Sequence, residues 1–337
     1  MSLKNSLFLS VFLWIALNGN SQETQSSDST GLVSFSDKIL IKANLSTETD
    51  QHFLFDHSDN SKLKLTSNNS YKLFLSLDYT FIGVSFGFTP NFFSNNRDDE
   101  LKGESSFNNF QFRFFLGHWI QSIQYKKIKG YYVENTEDFV DGWQKGIDPF
   151  IQIPTLKNVT WGMSTSYVFN PKFSFRNLIY QTEWQKYSTG SFVPTLYYDY
   201  NEISFDLEGT QSEDDSFESR LALAYYYTFV IEQHWFIAPN LSPALGVKFT
   251  KSRSVSNSAK DSEHTTYFTK FLQGGLQIGY SSNKVIFGGS FNVSVRRYNS
   301  DENAVTENDQ IYGILYFGYR FDAPKFIDRN FRRLSKK

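Results

Sequence analysis

Seven cations and one carboxylate carry the spacing in this 337-residue chain that could do chemistry. Lys72, Arg113, Arg176, Arg220, Lys248, Arg296 and Arg320, with Asp78 as an acidic member, each fall in the phase opposite the aromatic residues of their segment. If those segments are strands with one apolar face, all eight line an interior. Guanidinium and ammonium groups inside a barrel have two uses. They brace a closed interior by pairing with Asp, Glu and Tyr, which is the first expectation, or they form rings of positive charge that favour anionic solutes. A second group, Gln181, Glu183, Gln185 and Lys186, alternates with Tyr180, Thr182 and Trp184 and is expected near the outer end of a strand. Glu183 and Lys186 would anchor a loop there, and the alternative is contact with a ligand at the mouth.

Signatures of covalent or metal chemistry are scarce. The five histidines, His52, His57, His118, His234 and His264, fall in loops or at turns rather than mid-strand beside a Ser and a third orienting group. None has metal-ligand spacing, and no Gly-rich phosphate loop joins a strand to a helix. No cofactor and no metal are expected, and an outer-membrane hydrolase is the third of three functional readings. Acidic clusters at Asp98–Glu100, at Glu134, Glu137, Asp138 and Asp141, and at Glu213, Asp214, Asp215 and Glu218 read as solvated loops, with divalent-cation binding as the alternative.

The elements that must position these residues are strands. Val159, Trp161, Met163, Thr165, Tyr167 and Phe169 share one face, and Thr160, Gly162, Ser164 and Ser166 the other. The same period of two runs through Leu221–Ile231, Val285–Val295 and Ile311–Phe321. The composition has 35 Phe and 20 Tyr, yet mean hydropathy is −0.42, so the apolar residues are interleaved rather than blocked. An aromatic face opposite one rich in Gly and Ser is the pattern of a barrel wall with lipid outside. Net charge of −2 gives no basic character to suggest nucleic acid.

Residues 1–21 read as a secretory signal, with Lys4 before an apolar run at Leu7–Leu17 and small residues Gly19 and Ser21 ahead of the cleavage point. Residues 22–36 form a polar periplasmic linker, 37–321 the transmembrane barrel, and 322–337 a basic periplasmic tail that could bind another envelope component. The absence of cysteine leaves neither a lipidation site nor a disulfide framework. Trp119, Trp235, Tyr79 and Tyr280 lie beside short turns, where amphipathic rings favour the headgroup level.

Short turns and long polar loops alternate, as in outer-membrane barrels with both termini in the periplasm; Ser61–Asp78 is expected as one strand, and Gln211–Glu218 and Lys251–His264 are among the expected long loops. A strand is expected at Lys172–Lys186, and the region Lys186–Glu218 breaks the phase if it holds one strand, whereas splitting it at Asp199–Tyr200 into Thr189–Tyr198 and Asn201–Thr210 restores it. That division predicts an all-β, antiparallel, up-and-down transmembrane barrel of about fourteen strands. The alternative is twelve strands with Asp37–Asp56 as an N-terminal strap.

Four segments resemble a known family. They are F-S-F-R-N-L-I-Y-Q-T-E-W-Q-K-Y-S-T-G-S-F at Phe173–Phe192 preceded by Y-V-F-N at Tyr167–Asn170, D-K-I-L-I-K at Asp37–Lys42, Y-K-K-I-K-G-Y-Y at Tyr125–Tyr132, and F-G-Y-R-F at Phe317–Phe321. Together they resemble the Bacteroidetes outer-membrane barrels grouped as domain of unknown function 4421. The resemblance covers about residues 37–321 and implies a barrel without supplying catalytic residues. Family members often carry Arg where this chain has Trp184, so no role for a positive charge there carries over. The expected function is a passive channel or transporter for small polar or anionic solutes. The alternative is a structural or interaction barrel, with outer-membrane lipid as partner in either case and no nucleic acid.

Overall fold

A computed structural model describes residues 31–35, 37–56, 61–207, 210–256, 259–299, 305–324, 327 and 331. The expected signal segment and the tail's basic residues lie outside these. In chain order the first strands are β1 (Leu32–Ser34), β2 (Lys38–Ser46), β3 (Gln51–Asp56), β4 (Ser61–Thr66), β5 (Lys72–Tyr79), β6 (Ile82–Phe88), β7 (Ser106–Leu116) and β8 (Trp119–Val133). The others are β9 (Gln152–Tyr167), β10 (Glu183–Gln185), β11 (Thr189–Leu207), β12 (Thr210–Ile231), β13 (Trp235–Ser256), β14 (Ala259–Ser281), β15 (Val285–Asn299) and β16 (Val305–Asp322).

Twelve of them form one closed antiparallel wall, in which each strand pairs with the next and β16 returns to β2 with Leu315 opposite Leu45. Closure gives every wall strand a neighbour on both sides, so the ring has no edge strand, although extensions beyond it, such as Ala259–Tyr267 of β14, pair on one side only among the described residues. The wall is therefore the smaller of the two expected counts. The larger one fails at two places: Lys172–Lys186 is not a wall strand, and Thr189–Leu207 runs unbroken through Asp199–Tyr200. Of the expected strap, Lys38–Ser46 belongs to the wall, while β3 and β4 form a hairpin beside it that touches β8 through Leu65 opposite Val133. The expected strand Ser61–Asp78 is two strands, β4 and β5.

Burial follows the period of two. Inner-face residues such as Ser122, Ala222, Ala244 and Ile286 are buried, whereas Leu221 (50%), Leu245 (57%), Phe291 (55%) and Leu315 (65%) lie open on the outside. Such a belt is far larger than the few hundred Å² of contiguous apolar surface that a soluble monomer tolerates. No helix among the described residues is long and apolar enough to cross a membrane.

The two ends differ. At one end the connections are tight and use left-handed backbone at Thr80 (φ 50°), Gly117 (φ 62°), Glu232 (φ 49°) and Gln233 (φ 61°), as short hairpins require. Of the four aromatics expected at this rim, Trp119 and Trp235 are exposed and Tyr280 is half-buried, but Tyr79 is buried, edge-on to Phe331 of the tail at 4.9 Å. At the other end, the expected polar loops around 211–218 and 251–264 are strand instead: β12, β13 and β14 run 22, 22 and 23 residues, twice the roughly 9–11 that cross a bilayer. Cross-strand pairs brace the polar ends of the strands, Arg253 of β13 with Glu213 at 3.3 Å and with Asp215 of β12, and Arg297 of β15 with Asp309 of β16 at 2.5 Å.

Candidate functional site

The short-turn end is filled by the segment between β9 and β11. Asn170 closes its neck: the side-chain amide donates to Thr189 Oγ1 (3.0 Å) and Gly190 O (2.8 Å), while its Oδ1 accepts the amide of Lys172 (3.0 Å). Asn-Pro is a turn signal, but here it turns the chain into the barrel. One π-helical turn, Arg176–Tyr180, follows and stops at Gln181 in the left-handed region. The chain then reverses through β10, which pairs with β1. Leu32–Ser34, within the expected 22–36 segment, are thus tied to this insertion.

Apolar packing holds the insertion in place. Val168, Phe173, Phe175 and Leu178 are buried with the inward-facing wall residues Phe115, Ile120, Val193, Phe236 and Ala238, and Tyr180 and Tyr226 pack against them. Around this core lies a polar collar. Arg320, less than 2% exposed, donates to Gln181 O (2.8 Å) and to Ser282 O, with Phe35 4.0 Å from its guanidinium. Lys42 Nζ donates to Gln181 Oε1. Arg176 reaches Thr80 O (2.9 Å) and pairs with Glu183 (3.1 Å), whose other oxygen accepts the Ser174 hydroxyl. Gln185 Oε1 accepts the Ser174 amide, Trp184 donates to Gln233 O (2.6 Å), and Lys186 lies over the Trp184 ring.

Asp78 and Arg113 pair at 2.9 Å across β6, both buried, with the guanidinium 5.0 Å from the Tyr180 ring. The residue between them in register is Gly83, where a Cβ would lie 2.0 Å from Asp78 Oδ1. Only glycine leaves room for that bridge.

Farther from the short turns, Arg220 binds Asp199 (3.1 Å) and Glu218 (3.3 Å) on β11 and β12. Lys248 and Arg296, both half-buried on the same inner wall, lie against the rings of Tyr267, Phe271 and Tyr298.

At the long-loop end the chain after β2 turns inward. Gln310 of β16 donates to Thr49 O (3.0 Å), and Asp50 pairs with Lys72 of β5 and with Lys126 of β8 at 3.0 Å, so residues 47–50 bridge opposite walls. Burial penalises the Asp50 charge, but Lys126 and Lys72 outweigh it and hold the carboxyl below its ordinary value. Beside it, Leu65 of the hairpin enters a second buried cluster with Phe107, Ile128, Tyr131, Val133 and Leu156.

Of the expected interior residues, Lys72, Asp78, Arg113, Arg220, Lys248, Arg296 and Arg320 stand on inward positions of wall strands, whereas Arg176 belongs to the insertion. The motif Gln181, Glu183, Gln185 and Lys186 lies at the short-turn end inside the barrel, not at an outer rim. Lys42 and Lys126 share the inward phase and were open to the same reading. Asp50 was not, because it lies in a loop. Among the histidines, His118 and His234 contact the carbonyls of Val168 and Ser281 through Nδ1, and His264 is exposed. The expected acidic loop residues Glu213 and Asp215 lie within reach of Glu202, but Arg253 pairs with both.

Residues 26–321 match the model of the family described as Domain of unknown function (DUF4421). The chain belongs to that family. No curated protein matches it. Among solved structures it is similar to the β domain of the Bordetella autotransporter BrkA, at 10% identity, covering 85% of this chain and 100% of that one, with a TM-score of 0.42. It is also similar to the outer membrane protease OmpT of Escherichia coli, at 8% identity over 89% of this chain and 99% of that one, with a TM-score of 0.34. For the ferric citrate transporter FecA the values are 9% identity, 83% and 41% coverage and a TM-score of 0.33, so this chain spans about two fifths of that transporter.

Proposed function

We propose that this chain is an integral outer-membrane barrel, closed in its resting state, that works as a structural or binding protein of the envelope rather than as a standing pore. The outward apolar belt supports the membrane setting, because charge or water against it would be unfavourable and hydrocarbon is not. One observation carries the closed state. The segment Asn170–Ser188 is packed into the short-turn end around an apolar cluster shared with five wall residues, an arrangement suited to a folded plug rather than a loose flap. By analogy with barrels that keep short turns and termini in the periplasm, that end faces the periplasm and the long β12–β14 extensions face outward.

The test is conductance. The purified protein in a planar bilayer is expected to stay silent under voltage; steady open-channel steps from the unmodified protein would overturn the closed state. A second reading, a conduit for small anionic solutes that opens when the plug is displaced, is favoured by Lys248 and Arg296, which have no carboxylate within 4.0 Å among the described residues and lie against aromatic rings instead. On that reading, currents appear only after the plug is loosened and are anion-selective.

A further inference from the structure

Five side chains on the inner wall of β12–β15 form a ladder that bracing does not explain. Lys248 Nζ lies 5.2 Å from the centre of the Tyr298 ring, and the Arg296 guanidinium lies 5.9 Å from the same ring. Arg296 is also 5.1 Å from the Phe271 ring, with Arg220 5.2 Å from it. The order is cation, ring, cation, ring, cation. Arg220 has two carboxylates, Asp199 and Glu218. Lys248 and Arg296 have none within 4.0 Å among the described residues, although Glu218 stands directly opposite Lys248 in the β12–β13 register. That carboxylate points to Arg220 instead.

Ring faces compensate a cation by about 0.5–2 kcal/mol each, which leaves the local charge positive. The donors are also unspent. Arg296 gives one hydrogen bond, from Nη1 to Tyr298 OH at 2.9 Å, and Lys248 donates to no protein acceptor among the described residues. Neither side chain has a nitrogen that is both buried and unsatisfied, so their free N–H groups are accessible rather than sealed in the packing. Tyr298 and Phe271 hold the two heads in place, so a ligand that meets them loses little side-chain entropy.

We propose that Lys248 and Arg296 form a binding site for a small multivalent oxyanion, a phosphate or polycarboxylate group, on the inner wall between the plug and the long-loop end. Two cations with no carboxylate within 4.0 Å among the described residues, both held beside one ring, match a dianion or trianion rather than chloride, and the free guanidinium N–H groups match the paired oxygens of such a group. Aromatic ligands fit less well, because the ring faces already carry cations. The inference rests on the closed-barrel reading by naming what the interior holds, but binding and conductance are separate readouts. A silent barrel without binding removes the site alone, and a conducting barrel that binds removes the closed state alone.

The experiment is titration calorimetry of the folded, full-length protein in detergent micelles with inorganic phosphate and with citrate, against sodium chloride at matched ionic strength. Saturable binding of at least one probe is expected, with Lys248→Gln and Arg296→Gln each weakening it about tenfold or more and the double variant abolishing it. Lys270→Gln, an exposed outward lysine over Phe268, is expected to bind as wild type. Heat-modifiable gel migration reports folding; if Arg296→Gln does not fold, Lys248→Gln alone decides, since that side chain makes no hydrogen bond to protein among the described residues. Heats no different from those of chloride, or a folded Lys248→Gln protein that binds as wild type, would overturn the proposal.

Discussion

Glycine and aspartate each decide a local outcome here that their neighbours cannot. Gly83 separates Asp78 from Arg113, and a side chain at that position occupies the space the carboxylate needs. Gly83→Val is expected to part the pair and destabilise the barrel by about 3–5 kcal/mol, the usual cost of leaving one buried charge uncompensated. Urea unfolding from lipid vesicles measures this, and a variant within about 0.5 kcal/mol of wild type would show the pair to be dispensable. Asp50 sets a pH dependence. Its folded carboxyl is held below the ordinary value, so the unfolded chain binds more protons as acid is added. The contribution is therefore complete above about pH 4 and is lost as pH falls further, through the folded value. Protection factors of the amides of residues 47–50, taken relative to the intrinsic exchange rate at each pH, are expected to fall below pH 4 in wild type but to be low at every pH in Asp50→Asn. Equal protection in both proteins across that range would refute the anchor.

At the scale of elements, the insertion between β9 and β11 and the wall around it are held by different forces. The wall depends on its closed ladder, to which no residue of the insertion contributes. Burial of Phe173, Phe175 and Leu178 against the wall secures the insertion, and truncating one such aromatic costs about 3–5 kcal/mol. The double variant Phe173→Ser, Phe175→Ser is expected to keep heat-modifiable migration, showing an intact wall, while residues 171–187 become protease-sensitive and bilayer recordings show current steps. A double variant that stays silent and protease-resistant would mean that the polar collar of Arg320, Lys42 and Arg176 suffices to keep the end shut. The pairing of β1 with β10 also ties the N-terminal segment to the insertion, so loss of one loosens the other.

The whole molecule is an inverted solvent arrangement, with apolar side chains outside and charges within. Leu276 and Gln277 are chain neighbours on β14; the leucine is exposed on the outer face, and the glutamine is buried inside, donating to Tyr316 OH at 3.1 Å. Leu276→Arg puts a charge near the middle of the apolar belt and is expected to lower folding stability in vesicles by about 2–4 kcal/mol. The same protein in detergent, where the belt deforms around the charge, is expected to lose less. Equal losses in vesicles and in detergent would argue that this face packs against protein and not against lipid.

How much of this was legible in the residues depends on the range of the interaction. Alternation places Leu315, Phe317 and Tyr319 opposite Tyr316, Gly318 and Arg320 without knowledge of any partner, because a strand's two faces follow from its own geometry. Hence the all-β class, the inward phase of Arg113, Arg220 and Arg320, and most short turns could be read directly. Phe173 and Phe175 alternate in the same way and imitate a wall strand; what sends them inward is the space left by Val193, Phe236 and Ala238 on strands 18 to 65 residues away. Nor could the sequence count the wall, since Thr189–Leu207 continues through polar residues only because β9 and β12 supply its hydrogen bonds on both sides. The sequence by itself determined which face of each strand is apolar, a property of a few consecutive residues. Only the tertiary structure decided how many strands close the ring and which segment fills it, because closure and filling are fixed by volumes and hydrogen bonds contributed from distant parts of the chain.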